Sequence, residues 1–150
     1  MWVMDRGGDI MPTEHAYDER TRMMNTRIWG TVTDADILAL AESIASNPRV
    51  EPGMREMIDL REVERAEVTR QVLQSVAAID RTLAEKFRGN RTAIVAVRDA
   101  HYGLARMYAH LMEAAGAPTQ VRVFRDVDRA TSWLQEPAAF PGPAPAAPPA

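Results

Sequence analysis

Three short stretches set an arginine against an aspartate where an apolar segment gives way: Asp59 with Arg61, Arg98 with Asp99, and Arg125 with Asp126. A guanidinium is a planar fork of donors suited to a carboxylate or phosphate, and unpaired N–H groups at a helix start favour the same anions. The plainer use of these residues is structural. Asp99 and Asp126 stand where N-caps stand, and surface arginines paired with capping carboxylates contribute little. In RDAHYGLARMY, residues 98–108, His101 and Tyr102 follow at once and project from the loop or first helical turn. Tyr102 serves either as a pocket cover or as packing between helix and sheet, and Gly103 lets the helix start approach the sheet.

Asp59, Asp99 and His101 are acid–base groups, but the sequence has no G-x-S-x-G, no phosphate loop and no G-x-G-x-x-G. With no cysteine, thiolate nucleophiles and thiolate zinc sites are excluded, and His15, His101 and His110 lack metal-ligand spacing. The expected site is therefore a ligand-binding edge of Asp59, Arg61, Arg98, Asp99, His101, Tyr102 and Arg125, with no catalytic residue, metal or cofactor.

These groups meet only if the segments carrying them are parallel strands, because ligands of open α/β sheets bind beyond the carboxyl ends. The pattern allows it. Residues 14–17 and 22–31 read as a hairpin, with Met23 and Met24 on opposite faces and Trp29 nearby as a candidate self-association or apolar-ligand surface. Thr33 with Asp36 opens a helix bearing Ile37, Leu40, Ala41 and Ile44, which Asn47-Pro48 stops. A strand ends in DLR at residues 59–61, and Val68, Val72, Val76, Ile79 and Leu83 mark an amphipathic helix ending near Gly89. TAIVAV, residues 92–97, has the continuous apolar character of a central strand covered on both faces. The next helix turns Leu104, Met107, Tyr108, Leu111 and Met112 inward and ends at Gly116. A strand over 121–124 and a helix with Val127, Ala130, Trp133 and Leu134 inward close the chain. Met57, Met107 and Met112 read as core.

The expected fold is a single α/β domain over 13–136, a mixed sheet of about five strands in the order β-β-α-β-α-β-α-β-α with helices packed on it. Residues 1–12 read as a disordered extension, and 137–150, rich in Pro and Ala, as a disordered tail. A net charge of -3, with both signs interspersed, does not resemble a nucleic-acid footprint. No apolar run approaches a membrane span, and no secretory signal opens the chain, which points to the cytoplasm.

GTVTDADI, IDLREV, AIVAVRDAHYGLARMY and VRVFRDVDRATSWL together resemble the SpoIIAA-like branch of the STAS fold, the small domain of sulfate transporters and anti-sigma-factor antagonists, across residues 13–135. The resemblance implies a bacterial, non-enzymatic binding or regulatory module, related in fold to the CRAL-TRIO lipid carriers. In the antagonists, a loop Asp-Ser-Ser-Gly carries the phosphorylated serine; the counterpart loop here holds Glu64, Arg65, Ala66 and Glu67, and Thr69 lies a turn into the following helix. Phosphoserine switching is therefore not expected. Two readings follow: a module binding a protein partner or its own copy, and a carrier or sensor of a small amphiphile such as a lipid or fatty acid. An internal apolar cavity opening beside Arg61, Arg98 and Tyr102 favours the second; a fully packed interior with a long unpaired edge strand favours the first.

Overall fold

The computed structural model describes residues 2–4 and 10–137. Strands β1 (Trp2–Met4), β2 (Ile10–Asp18), β3 (Met23–Thr33), β4 (Arg55–Glu67), β5 (Arg91–Val95) and β6 (Gln120–Phe124) form one sheet in chain order. β1, β2 and β3 pair antiparallel, and β3 to β6 run parallel. The expected elements occur in the expected order, with β1 added as an edge strand and with the helix read as ending near Gly89 stopping at Thr82 and followed by a separate short helix, Ala84–Phe87. β1 and the start of β2 lie within the stretch read as an unstructured extension, and they are held by ladder pairing at Trp2 with Glu14 and Met4 with Ile10. Met1, residues 5–9 and the tail from 138 onward lie outside the described residues.

Helices α1 (Asp34–Ser46), α2 (Arg70–Thr82), α3 (Ala84–Phe87), α4 (Asp99–Ala114) and α5 (Val127–Gln135) connect and close the sheet. Because β3 to β6 are laid down in sequence, right-handed crossovers put α1, α2 and α4 on one face. α5, which follows the last strand, packs on the other. Thr33 caps α1 in a reciprocal capping box with Asp36, and Asp126 caps α5 by accepting from the N–H groups of Asp128 and Arg129.

Four sequence expectations change. TAIVAV is not the middle of the sheet: β5 is next to the edge, and its apolar character comes from cover on both faces. DLR does not end a strand. β4 continues through the expected loop to Glu67, pairing with β3 as far as Thr33, and its register slips twice, between Arg27/Trp29 and Gly30/Thr31 on the β3 side. The slips bring Leu60, Val63 and Ala66 to one face at a spacing of three, which no period-two pattern contains. Thr69 is the N-cap of α2 itself rather than a turn inside it. Gly103 is exposed with open space around its absent side chain, so it provides no close approach to the sheet.

Candidate functional site

On the three-helix face, the layer between helices and sheet is incompletely filled. A cavity of ≈ 180 Å³ lies there, lined along β4 by Glu56, Ile58, Leu60, Val63 and Ala66. The helices contribute Ile37, Leu40, Ile44, Val76, Ile79, Leu104 and Tyr108. Several of these apolar residues, Ile58 on a central strand among them, are only half-buried because they face this space. An apolar cavity of about 150 Å³ holds benzene, so the volume suits a ring or a short alkyl chain rather than a long acyl chain.

α2 forms the roof. Its principal contacts are with α1 and α4, and hydrogen bonds fix it at both ends. At its start, the N–H and hydroxyl of Thr69 each donate to the Asp34 carboxylate of α1, both at 2.7 Å. Near its end, the Asp80 carboxyl accepts from the Thr119 hydroxyl at 2.6 Å and from the Thr119 N–H at 3.3 Å. Burial raises the Asp80 carboxyl above its ordinary value, against the opposing Thr119 hydrogen bonds.

A polar row crosses the apolar floor. Nδ1 of His15 on β2 and Oγ1 of Thr26 on β3 lie 2.9 Å apart, and the Thr26 hydroxyl donates to Oε2 of Glu56 on β4 at 2.9 Å. Burial pushes the Glu56 carboxyl up to about 7, with the Thr26 hydrogen bond acting the other way. Burial likewise lowers His15. Glu56, paired in register with Thr92, and Asp80, bonded to Thr119 just before β6, line the cavity toward the amino ends of the parallel strands, and Tyr108 lines it too. Burial first, then the Asp80 and Glu56 carboxyls, hold the Tyr108 phenol far above its usual value. Such a row is invisible in local sequence: Glu56 sits where an alternating strand would carry another apolar residue, and that break in REMIDL is the only signal of it.

The residues expected to form the binding edge are placed differently, and Arg61, Arg98 and Tyr102, beside which a ligand cavity is expected to open, are not among the residues lining this one. Arg98 donates from Nη1 to the Glu64 carbonyl at 2.9 Å, covering β4 where β5 has already ended. Asp99 is in the first turn of α4, not its N-cap; Arg98 holds that position without a side-chain cap. Arg125 pairs with Asp99 at 2.8 Å, donates to the Val97 carbonyl at 2.8 Å and lies 4.2 Å from the Tyr102 ring centre. Arg98, Asp99, Tyr102 and Arg125 thus gather at one edge as expected, but much of their hydrogen-bonding and stacking capacity is used on the fold. Asp59 and Arg61 pair with each other in mid-strand at 2.8 Å. Burial opposes it, yet the Arg61 hydrogen bonds and charge, with Arg27 adding to them, hold the Asp59 carboxyl below its ordinary value.

His101 is the exception, since it is 7% exposed and lines the cavity instead of standing in an exposed loop. Burial first, and Arg98 second, lower its pKa. On the same helix Met107 and Leu111, read as inward, line a shallow outer groove with Arg70, while Tyr108 and Met112 keep the expected orientation. Among the described residues, no three metal-ligating side chains come together. No helix there is long and apolar enough to cross a membrane.

No family model matches this sequence, and no curated protein matches it. Among solved structures, the chain is similar to an uncharacterised protein of the DUF3478 family with a SpoIIAA-like fold from Shewanella loihica PV-4. The match has 15% identity and a TM-score of 0.50, covering 81% of this chain and 91% of that one. This chain has the same SpoIIAA-like α/β fold.

Proposed function

We propose that this STAS-type module is a non-enzymatic carrier or sensor that takes a small, largely apolar molecule between its sheet and its roof helix. The observation that carries the reading is the cavity, whose lining residues stay half-buried within an otherwise closed layer. Its volume replaces the expected lipid with a ligand of about ring size. The non-enzymatic part draws support from the separation of the acid–base candidates: Asp59 is paired with Arg61, Asp99 with Arg125, and His101 faces the cavity.

Methyl-resolved NMR with cyclohexanol tests the reading. Saturable shifts confined to Ile58, Leu60, Val76, Ile79 and Leu104, abolished by Val76→Phe, are expected. Shifts that fail to saturate, or that spread over the surface, overturn it. One observation also favours a protein partner. Beyond Asp59, β4 pairs with β3 but not with β5, and Arg98 donates to the Glu64 carbonyl along the edge that β5 leaves, an edge of the kind to which a partner strand adds.

A further inference from the structure

The polar end of the cavity restricts what its ligand can carry. Five lining residues bear ionisable groups: Glu56, Asp80, Arg91, Tyr108 and, toward the carboxyl ends of the strands, His101. Arg91 is turned away. Its guanidinium donates to the Trp133 and Glu136 carbonyls at 3.1 and 2.9 Å on the α5 face, so among the described residues lining the cavity no Lys or Arg side chain answers the two carboxyls inside. Asp80 is occupied by Thr119 through both oxygens. Among the described residues Glu56 engages only Oε2, and its Oε1 and the Tyr108 hydroxyl form no hydrogen bond but are not sealed from the open space beside them. Polar atoms that face a largely apolar cavity without a partner are poorly solvated there, and a site built around them disfavours ligands that cannot complete the set.

Resting on the reading of the cavity as a ligand site, we infer that its ligand is a small apolar amine, whose ammonium donates to Glu56 and Tyr108 while its ring or alkyl body fills the space over Ile58 and Leu60. An ammonium supplies three donors to two oxygens that lack one, and its charge meets an acidic pocket. A fatty acid places a third acidic group against Glu56 and Asp80, where like charges oppose each other. His101, His15 and Asp80 are the other titratable groups around this layer. His15 reaches Glu56 through Thr26, and both histidines are held toward their neutral form.

Calorimetric titration with benzylamine, benzyl alcohol and benzoate separates the possibilities, because the three share a ring and differ in the head group. Benzylamine is expected to bind at least tenfold more tightly than benzyl alcohol, with benzoate weakest, and Glu56→Gln should bring the amine down to the level of the alcohol. In the unmodified protein, amine affinity should rise between pH 6 and pH 8 as Glu56 ionises, while alcohol affinity stays flat. Benzoate binding as tightly as benzylamine, or an amine preference insensitive to both Glu56→Gln and pH, overturns the inference and leaves the cavity reading in place. Failure of all three ligands, benzyl alcohol included, overturns both.

Discussion

On one face of the sheet, α5 lays Ala130, Trp133 and Leu134 onto Met57, Ala93 and Val95, with Phe124 and Val127 closing the border. On the other, α1, α2 and α4 carry more apolar side chains and yet leave a cavity. A single short helix with one neighbour settles onto the strands until its side chains interlock. Three helices that pack on one another settle as a layer, and α2, tied to α1 through Asp34 and to the β6 approach through Thr119, is held by its ends instead of its underside. Apolar composition is thus compatible with either a closed core or a binding space, and anchoring decides between them.

The comparison breaks most visibly at Trp133. It is 5% exposed, its ring lies 5.8 Å from that of Phe124, and Arg91 and Arg122 stack on it. Trp133→Ala should cost about 3–5 kcal/mol by urea denaturation, the range for emptying a closed core. An unchanged midpoint would mean that this face, too, is loosely filled.

Glu56 gives the next largest effect, with a sign that identifies the face. Its folded pKa of about 7 lies above the ordinary 4.5, so the folded state binds the proton more tightly. Its stabilising contribution is complete below pH 4.5 and is lost as pH rises through 7, by about 3 kcal/mol at 1.36 kcal/mol per unit. Glu56→Gln should flatten that decline, measured as the difference in unfolding free energy between pH 5 and pH 8. A difference unaltered by the substitution would place Glu56 in water.

Leu60→Ala sharpens the contrast at smaller scale. Leu60 is half-buried against the cavity, so its truncation should cost about 1–2 kcal/mol, below the usual cost at a filled leucine site. A cost equal to that of Leu134→Ala, where the side chain is 0% exposed, would show that the cavity is closed in solution.

Local chemistry in the sequence determined the order of strands and helices, the Thr33 and Asp126 caps, the glycine after α4 and the inward set of α5. Each of these depends on residues a few positions apart, within reach of one turn or one strand period. The second half of β4 was illegible because its two register slips replace alternation with a spacing of three at Leu60, Val63 and Ala66. The gathering of Arg98, Asp99, Tyr102 and Arg125 at one edge was legible from strand direction, but their engagement there was not, since the Glu64 carbonyl that Arg98 holds lies 34 residues away. The site itself was decided only by tertiary structure. His15, Thr26 and Glu56 become neighbours through strand pairing, and Arg91 leaves the cavity because the strand alternates its side chains between faces. The space above them exists because α2 is held at both ends away from the sheet, and contacts between distant segments are not encoded in any local period.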